Sequence, residues 1–227
     1  MMGILAFVDE RRPSASRVPW GPRMQAKTHW EQVYSTKPVT EVSWFQEHSE
    51  VSIDLIDRTG VGKGGAIIDV GGGASRLVDD LLAKGYQDLT VLDISAAALS
   101  VARRRLGTRA EAVNWLEADI TSADLPRHGF DLWHDRAVFH FLTDGADRAR
   151  YVQAVRDSVR PGGHVIVATF GPDGPLKCSG LPVVRYSPDR LHDEFGAAFE
   201  LVEHTTEEHR TPFGTTQHFI YCHFRVA

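Results

Sequence analysis

Three acidic residues stand where apolar strands of this chain run out, and each is placed to hold part of a nucleoside. Asp69 lies in Ala66-Ile-Ile-Asp-Val-Gly-Gly-Gly-Ala-Ser-Arg-Leu77, a buried strand leading into a glycine-rich turn and then a helix. Gly71, Gly72 and Gly73 let the backbone turn sharply and approach a ligand closely, and Ser75 can cap the helix that follows. Asp93 comes 24 residues later, at the end of the strand Leu89-Thr-Val-Leu-Asp-Ile94, where it can accept from both hydroxyls of a ribose. Asp119 in Leu116-Glu-Ala-Asp-Ile120 can accept from an adenine amino group, and the N–H of Ile120 can reach a ring nitrogen. A nucleoside-bearing cofactor at the carboxyl ends of parallel strands is the expectation. A nicotinamide dinucleotide fits less well, because the sixth position of its G-x-G-x-x-G pattern is Arg76 here.

Each carboxylate also has a plainer reading. Asp69 can merely satisfy turn N–H groups, Asp93 can cap a helix, and Asp119 can be an ordinary polar strand end.

Groups able to handle an acceptor cluster further along. His134-Asp-Arg-Ala-Val-Phe-His140 follows the apolar start of the strand at Phe130, and His140 or His134 could take a proton from an incoming thiol, hydroxyl or amine. Packed histidines are the alternative. The loop Gly171–Tyr186 is long and punctuated by glycine and proline, so it reads as a lid or substrate wall carrying Lys177, Cys178, Arg185 and Tyr186. That basic pair suits an anionic or polarised acceptor, such as a thiolate. No metal is expected: His204 and His209, like His218 and His223, are five apart on predicted strands and point to opposite faces.

The elements that must position these groups alternate. Helical pieces are predicted over Thr28–Ser35 and Ser43–Thr59, with a flexible link at 60–65. Helices follow at 74–84, with Gly85 as its cap, at 96–106 behind Ser95, and at 144–160. Arg160-Pro-Gly-Gly163 then turns into a strand, His164–Phe170. A short helix starts at Ser187-Pro188, and Phe199–His209 and Thr216–Val226 form an antiparallel hairpin around Thr211–Thr215. Strands and helices in this order specify an α/β, doubly wound sheet, which binds ligands beyond its carboxyl edge.

Length and composition limit the rest. At 227 residues the chain suits one folded domain over 24–227, behind a proline- and arginine-rich arm at 1–23 expected to be flexible. Within the domain, 24–65 is a helical cap, 66–170 the cofactor-binding core, and 171–227 the substrate loop and hairpin. A net charge of −5 offers no basic field for nucleic acid, and no apolar run is long enough for a membrane span. Two cysteines without metal-ligand spacing point to a reduced, cytoplasmic setting.

In order and spacing, the glycine turn, Asp93, Asp119, the strand ending in Asp135-Arg136 and the terminal hairpin resemble the class I S-adenosylmethionine-dependent methyltransferases, over roughly residues 27–226. The resemblance implies a Rossmann-like seven-stranded sheet, mostly parallel, ending in an antiparallel hairpin. It also implies S-adenosyl-L-methionine as cofactor and S-adenosyl-L-homocysteine as product. Gly71, Gly73 and Ser75 stand where the family shows G-x-G-x-G, against the methionine portion. Ile94 adjoins the ribose, and Asp135 and Arg136 lie near the methionyl end. Trp30, Tyr34 and Trp44 would come from an N-terminal helix that closes over the cofactor, where an aromatic face suits a sulfonium. Simple anchoring of that helix to the core is the alternative for the tryptophans.

The finer resemblance is to small stand-alone bacterial enzymes, in the Trp30, Tyr34 and Ser43-Trp44-Phe45 entry and the His134–Phe141 run. It implies a small-molecule acceptor, a thiol or similar nucleophile favoured, with no nucleic-acid, membrane or obligate protein partner. Methylation of a partner protein's lysine is the alternative, and a non-catalytic cofactor-binding module stands behind both. No Asn/Asp-Pro-Pro-Tyr/Phe tetrapeptide follows the fourth strand, which disfavours amino groups of nucleobases and amides.

Overall fold

A computed structural model describes residues 22–227. Nearly all of the arm expected at 1–23 lies outside the described residues.

The sheet grows from strands whose side chains are buried on both faces. Every residue of β1 (Ala66–Val70) is buried, as are five of the six in β2 (Asp88–Asp93), which explains their near-continuous apolar sequences. With β3 (Val113–Glu117), β4 (Phe130–Arg136) and β5 (Val159–Phe170) they form a parallel array. A two-stranded ribbon, β6 (Lys177–Cys178) with β7 (Leu181–Pro182), interrupts the loop after β5. The long hairpin β8 (Phe199–Arg210) and β9 (Thr216–Val226) then completes the sheet antiparallel, with β9 against β5. The strand order is β3-β2-β1-β4-β5-β9-β8, the seven-stranded arrangement implied by the resemblance. Chain direction across the sheet reverses between β1 and β4, so the crevice at their carboxyl ends is the expected ligand position.

Helices cover both faces: α1 (Pro22–Thr36), α2 (Glu50–Arg58), α3 (Leu77–Ala83), α4 (Ala96–Leu106), α5 (Gly145–Ser158) and α6 (Pro188–Phe195). Their starts are chemically marked. Ser95 Oγ accepts from Ala98 N–H, Asp144 from Ala146 and Asp147, and Ser187 from Arg190 with Pro188 in the first turn. One apolar cluster, with Trp133, Phe139, Tyr151 and Phe195, fills the α5–α6 face. The other, with Leu55, Ile67, Leu81 and Leu132, fills the opposite face.

Three local expectations need correction. Residues 43–49 are not helical, because polar groups of the sheet take hold of that segment: His209 Nε2 meets the Ser43 carbonyl at 2.8 Å and Arg136 donates to that of Trp44 at 3.2 Å. The helix expected at 74 starts at Leu77, because Arg105 binds the carbonyls of Ala74 (2.9 Å) and Ser75 (2.6 Å) and holds them in the glycine turn. Arg160–Gly163 lies inside β5 as an irregularity, with Phe130 opposite Val159 but Leu132 opposite His164. No helix among the described residues is long and apolar enough to cross a membrane.

Candidate cofactor and acceptor site

The glycine turn is shaped by what lies against it. Gly73 has φ +29°, and a Cβ there would sit 2.4 Å from Asp93 Oδ2. At Gly72 a Cβ would meet Asp69 Oδ2 at 2.3 Å. The bare backbone therefore drapes directly over two carboxylates. Arg105, which the sequence reading did not single out, braces this turn from α4 and is itself held by Asp79 at 2.6 Å. Ser75 Oγ accepts from Leu77 N–H at 3.1 Å, but the N-cap position of α3 is Arg76, one residue further on.

Asp69 and His134 are register partners on β1 and β4 and share a sheet face. His134 Nδ1 lies 2.7 Å from Asp69 Oδ1, and Nε2 lies 2.9 Å from Ser52 Oγ on α2. All three side chains are buried. The second oxygen of Asp69 is buried with no partner. A cleft opens beside it, bounded by the glycine turn, Tyr34, Trp44, Gln46, His134 and Arg136.

Asp93 closes the neighbouring strand. Its Oδ1 accepts from Ser95 N–H at 2.8 Å. Burial pushes its carboxyl up to about 7 against that N–H, and the charges of Asp69 and Glu31 push the same way. Glu31 is a second residue missed in the sequence. From α1 it accepts from both Ala96 N–H (2.7 Å) and Ala97 N–H (3.1 Å), a double cap on α4 that docks α1 beside Asp93. Asp119 Oδ1 accepts from the N–H and hydroxyl of Thr121 at 2.9 and 2.7 Å. Ile120 is packed in the α5–α6-side core, and Ile94 is half-buried.

Residues 67–163 match a family model described as a methyltransferase domain. Over that stretch the chain is similar to methyltransferase domains. An uncharacterised methyltransferase of Mycobacterium tuberculosis is 34% identical over 104 residues, which are 46% of this chain and 50% of that protein. The chain thus spans about half the length of the mycobacterial relatives it matches. EEF1A lysine methyltransferase 2 of Danio rerio is 24% identical over 194 residues, 79% of this chain and 77% of that one. Among solved structures, the 1,6-didemethyltoxoflavin-N1-methyltransferase of Burkholderia thailandensis, with its substrate and S-adenosylhomocysteine bound, superposes at TM-score 0.63. It shares 18% identity, over 89% of this chain and 84% of that one, so the likeness is one of fold.

The fold distributes the other candidates unevenly. Trp30, Tyr34 and Trp44 do come together: Trp30 meets Trp44 edge-on at 5.6 Å, and Trp44 Nε1 donates to the Tyr34 hydroxyl at 3.1 Å. Burial raises the Tyr34 phenol, so it stays protonated. Arg136 reaches the same cleft inside a network. Its Nε donates to the Tyr221 hydroxyl at 2.8 Å and Nη2 to Glu207 at 3.4 Å, while Tyr221 donates to Glu207 at 2.7 Å and Gln46 donates to the other Glu207 oxygen. Burial works against the guanidinium charge, but Tyr221 and Glu207 outweigh it. The hairpin partners Glu207 and Tyr221 left no motif to read in the sequence.

Other assignments change. Asp135 points to the opposite face, where Oδ1 accepts from Val138 N–H (2.8 Å) and Oδ2 from Phe139 N–H (3.0 Å) and the Tyr151 hydroxyl. With both oxygens committed it holds a turn and does not face the cleft. His134 has both nitrogens engaged and offers no lone pair to an acceptor. His140 is fully buried, and burial, with Arg136 adding to it, lowers its imidazole to about 3. Its Nδ1 accepts weakly from Phe170 N–H at 3.3 Å. A ring so weakly basic is no proton acceptor near neutrality. The four loop residues also separate. Tyr186 belongs to the α5–α6-side core, and Arg185 donates to the Gly174 carbonyl at 3.2 Å. Lys177 is exposed. Cys178 is buried on the cleft's face of the sheet, and burial pushes its thiol up to about 12 despite Arg136 and Ser43. Among the described residues, no group of three or more His, Cys, Asp or Glu side chains is arranged to hold a metal ion.

Proposed function

We propose that this protein transfers the methyl group of S-adenosyl-L-methionine to a small-molecule nucleophile, a thiol or similar soft centre favoured. The observation that carries this reading is the pair of buried carboxylates beneath a Cβ-free turn at the sheet's switch point, one of them with a partnerless oxygen beside the cleft. The residues fit the cofactor part by part. Asp93 accepts from ribose hydroxyls, and the free oxygen of Asp69 suits the α-ammonium. The aromatic wall of Tyr34 and Trp44, with Trp30 packed against both, suits a sulfonium, whose positive charge is drawn to ring faces. Bound there, the cofactor supplies a methyl group on a good leaving group, and transfer is an in-line displacement.

What the chain contributes is alignment and dryness. Trp44, tied to Tyr34 and to Arg136, keeps the cleft wall in place. The paired Arg136–Glu207 unit adds polarity without an uncompensated charge. His134 and His140 are both unsuited to take a proton, which favours an acceptor that ionises unaided. A thiol, with an ordinary pKa of about 8.5, delivers some thiolate at neutral pH, whereas an alcohol does not.

Methylation of a protein lysine is the second reading, favoured by the zebrafish relative that matches over 79% of this chain. The experiment supplies methyl-labelled S-adenosylmethionine with a panel of thiols, alcohols and amines, and in parallel with a cell lysate. Label in a thiol, with release of S-adenosylhomocysteine, supports the proposal. Label in one protein band supports the lysine reading and overturns the small-molecule one.

A further inference from the structure

His134 is the one buried titratable group beside the cleft whose two ring nitrogens are both accounted for, yet the methyl transfer itself makes no use of it. Its contacts form a chain: Ser52 Oγ to Nε2 at 2.9 Å, then Nδ1 to Asp69 Oδ1 at 2.7 Å. Ser52 is 0% exposed, His134 2% and Asp69 5%, so water does not substitute for these partners. The chain ends on a carboxylate whose other oxygen has no partner and lies under Gly72 at the cleft. A carboxylate can only accept, so Nδ1 carries the proton, and in the neutral ring Nε2 accepts from the Ser52 hydroxyl. An aspartate left to itself at a strand end would turn toward the N–H groups of the nearest turn. Asp135, one strand over, does so.

We propose that His134 is a positioning residue: braced on α2 through Ser52, it occupies one oxygen of Asp69 so that the other faces the cationic amino-acid end of the cofactor. The proposal rests on the reading that the cleft takes S-adenosylmethionine. It assigns His134 to the binding of one portion of the ligand, not to proton transfer and not to the adenosine half.

Two probes separate these. S-adenosylhomocysteine carries the amino-acid end, and 5′-methylthioadenosine keeps the nucleoside and thioether but lacks it. Calorimetric titration of the full chain compares them in wild type, His134→Gln, His134→Asn and Ser52→Ala. The Asn amide can place an N–H where Nδ1 stood, whereas the longer Gln side chain cannot. His134→Gln is expected to weaken S-adenosylhomocysteine about tenfold, the scale of one hydrogen bond to a charged group, and 5′-methylthioadenosine by less than about twofold. His134→Asn should stay within about threefold of wild type for both, and Ser52→Ala should cost about threefold for S-adenosylhomocysteine alone. Equal losses for the two probes, or equal losses in the Gln and Asn variants, overturn the proposal. Should the His134 variants not fold, Ser52→Ala decides, and an unchanged or unselective affinity overturns it. A wild type that binds neither probe overturns the cofactor reading and this proposal together. A wild type that binds both, with unselective variants, overturns this proposal alone.

Discussion

Asp69 and Asp135 are carboxylates near the tips of adjacent strands, both buried, and they do opposite things. Register pairs Asp69 with His134 and Val70 with Asp135, so side-chain alternation sends the two aspartates to opposite faces of the sheet. On one face Asp69 finds a single partner and a cleft. On the other, Asp135 finds two backbone N–H groups and the Tyr151 hydroxyl, and its capacity is spent inside the fold. A carboxylate near a strand end is thus not yet a ligand group. The face it points to, and the donors waiting there, decide.

Replacing each carboxylate breaks that comparison in a different observable. Asp135→Ala should give the largest effect, a loss of about 3 kcal/mol of stability, because three buried donors lose their acceptor. Chemical denaturation checks it, and a wild-type midpoint would make Asp135 dispensable to the fold. Asp69→Asn keeps an oxygen for His134 but removes the charge. It should lower S-adenosylhomocysteine affinity about tenfold while leaving the denaturation midpoint nearly in place. If both variants lose stability alike, the contrast between the two faces is mistaken.

Asp93 sharpens the comparison through pH. Its carboxyl is raised to about 7 in the folded protein, from an ordinary value near 3.8. The folded state therefore holds a proton that the unfolded state has released, and this group's stability contribution is lost as pH rises from about 4 to 7. Ribose hydroxyls prefer the ionised acceptor, so the sign for binding is opposite. S-adenosylhomocysteine affinity should fall by up to about tenfold per unit as pH drops below 7, with proton release on binding. Calorimetry in two buffers of different ionisation enthalpy measures that proton. The smallest effect belongs to Glu31→Gln, which should weaken the docking of α1 by about 1 kcal/mol. Faster amide exchange in α1 and at Ala96–Ala97, with the rest of the chain unchanged, is the signature.

The sheet was legible in the sequence because its signals are local: apolar runs, the glycine turn, Ser95 before a helix, and a hairpin too short to cross over. That Asp69 and Asp93 stand at strand tips beside the glycine turn was legible for the same reason. Which face a strand-tip residue points to was not legible, since it depends on a register that one irregular residue in β4 or β5 can shift. That ambiguity is why Asp135, His134 and Asp69 looked alike. The ties made by Arg105, Glu31, Glu207 and Tyr221 span 14 to 161 residues and involve ordinary charged or aromatic types, with no motif to mark them. The stretch 43–49 misled because its apolar spacing suits a helix, while its backbone carbonyls are claimed by residues more than 90 positions away.

The position of β9 between β5 and β8 bears on how this chain can be made. Among the strands of the described residues it comes last in the sequence, yet it lies inside the sheet with a neighbour on either side. Until residues 216–226 have left the ribosome, β5 presents an unpaired apolar edge and β8 has no strand to join. During that interval Arg136 also lacks Tyr221, one of the groups that hold its charge. Synthesis therefore passes through a stage with β1 to β8 outside and the sheet open, and a chaperone that shields exposed strand edges would act at that moment.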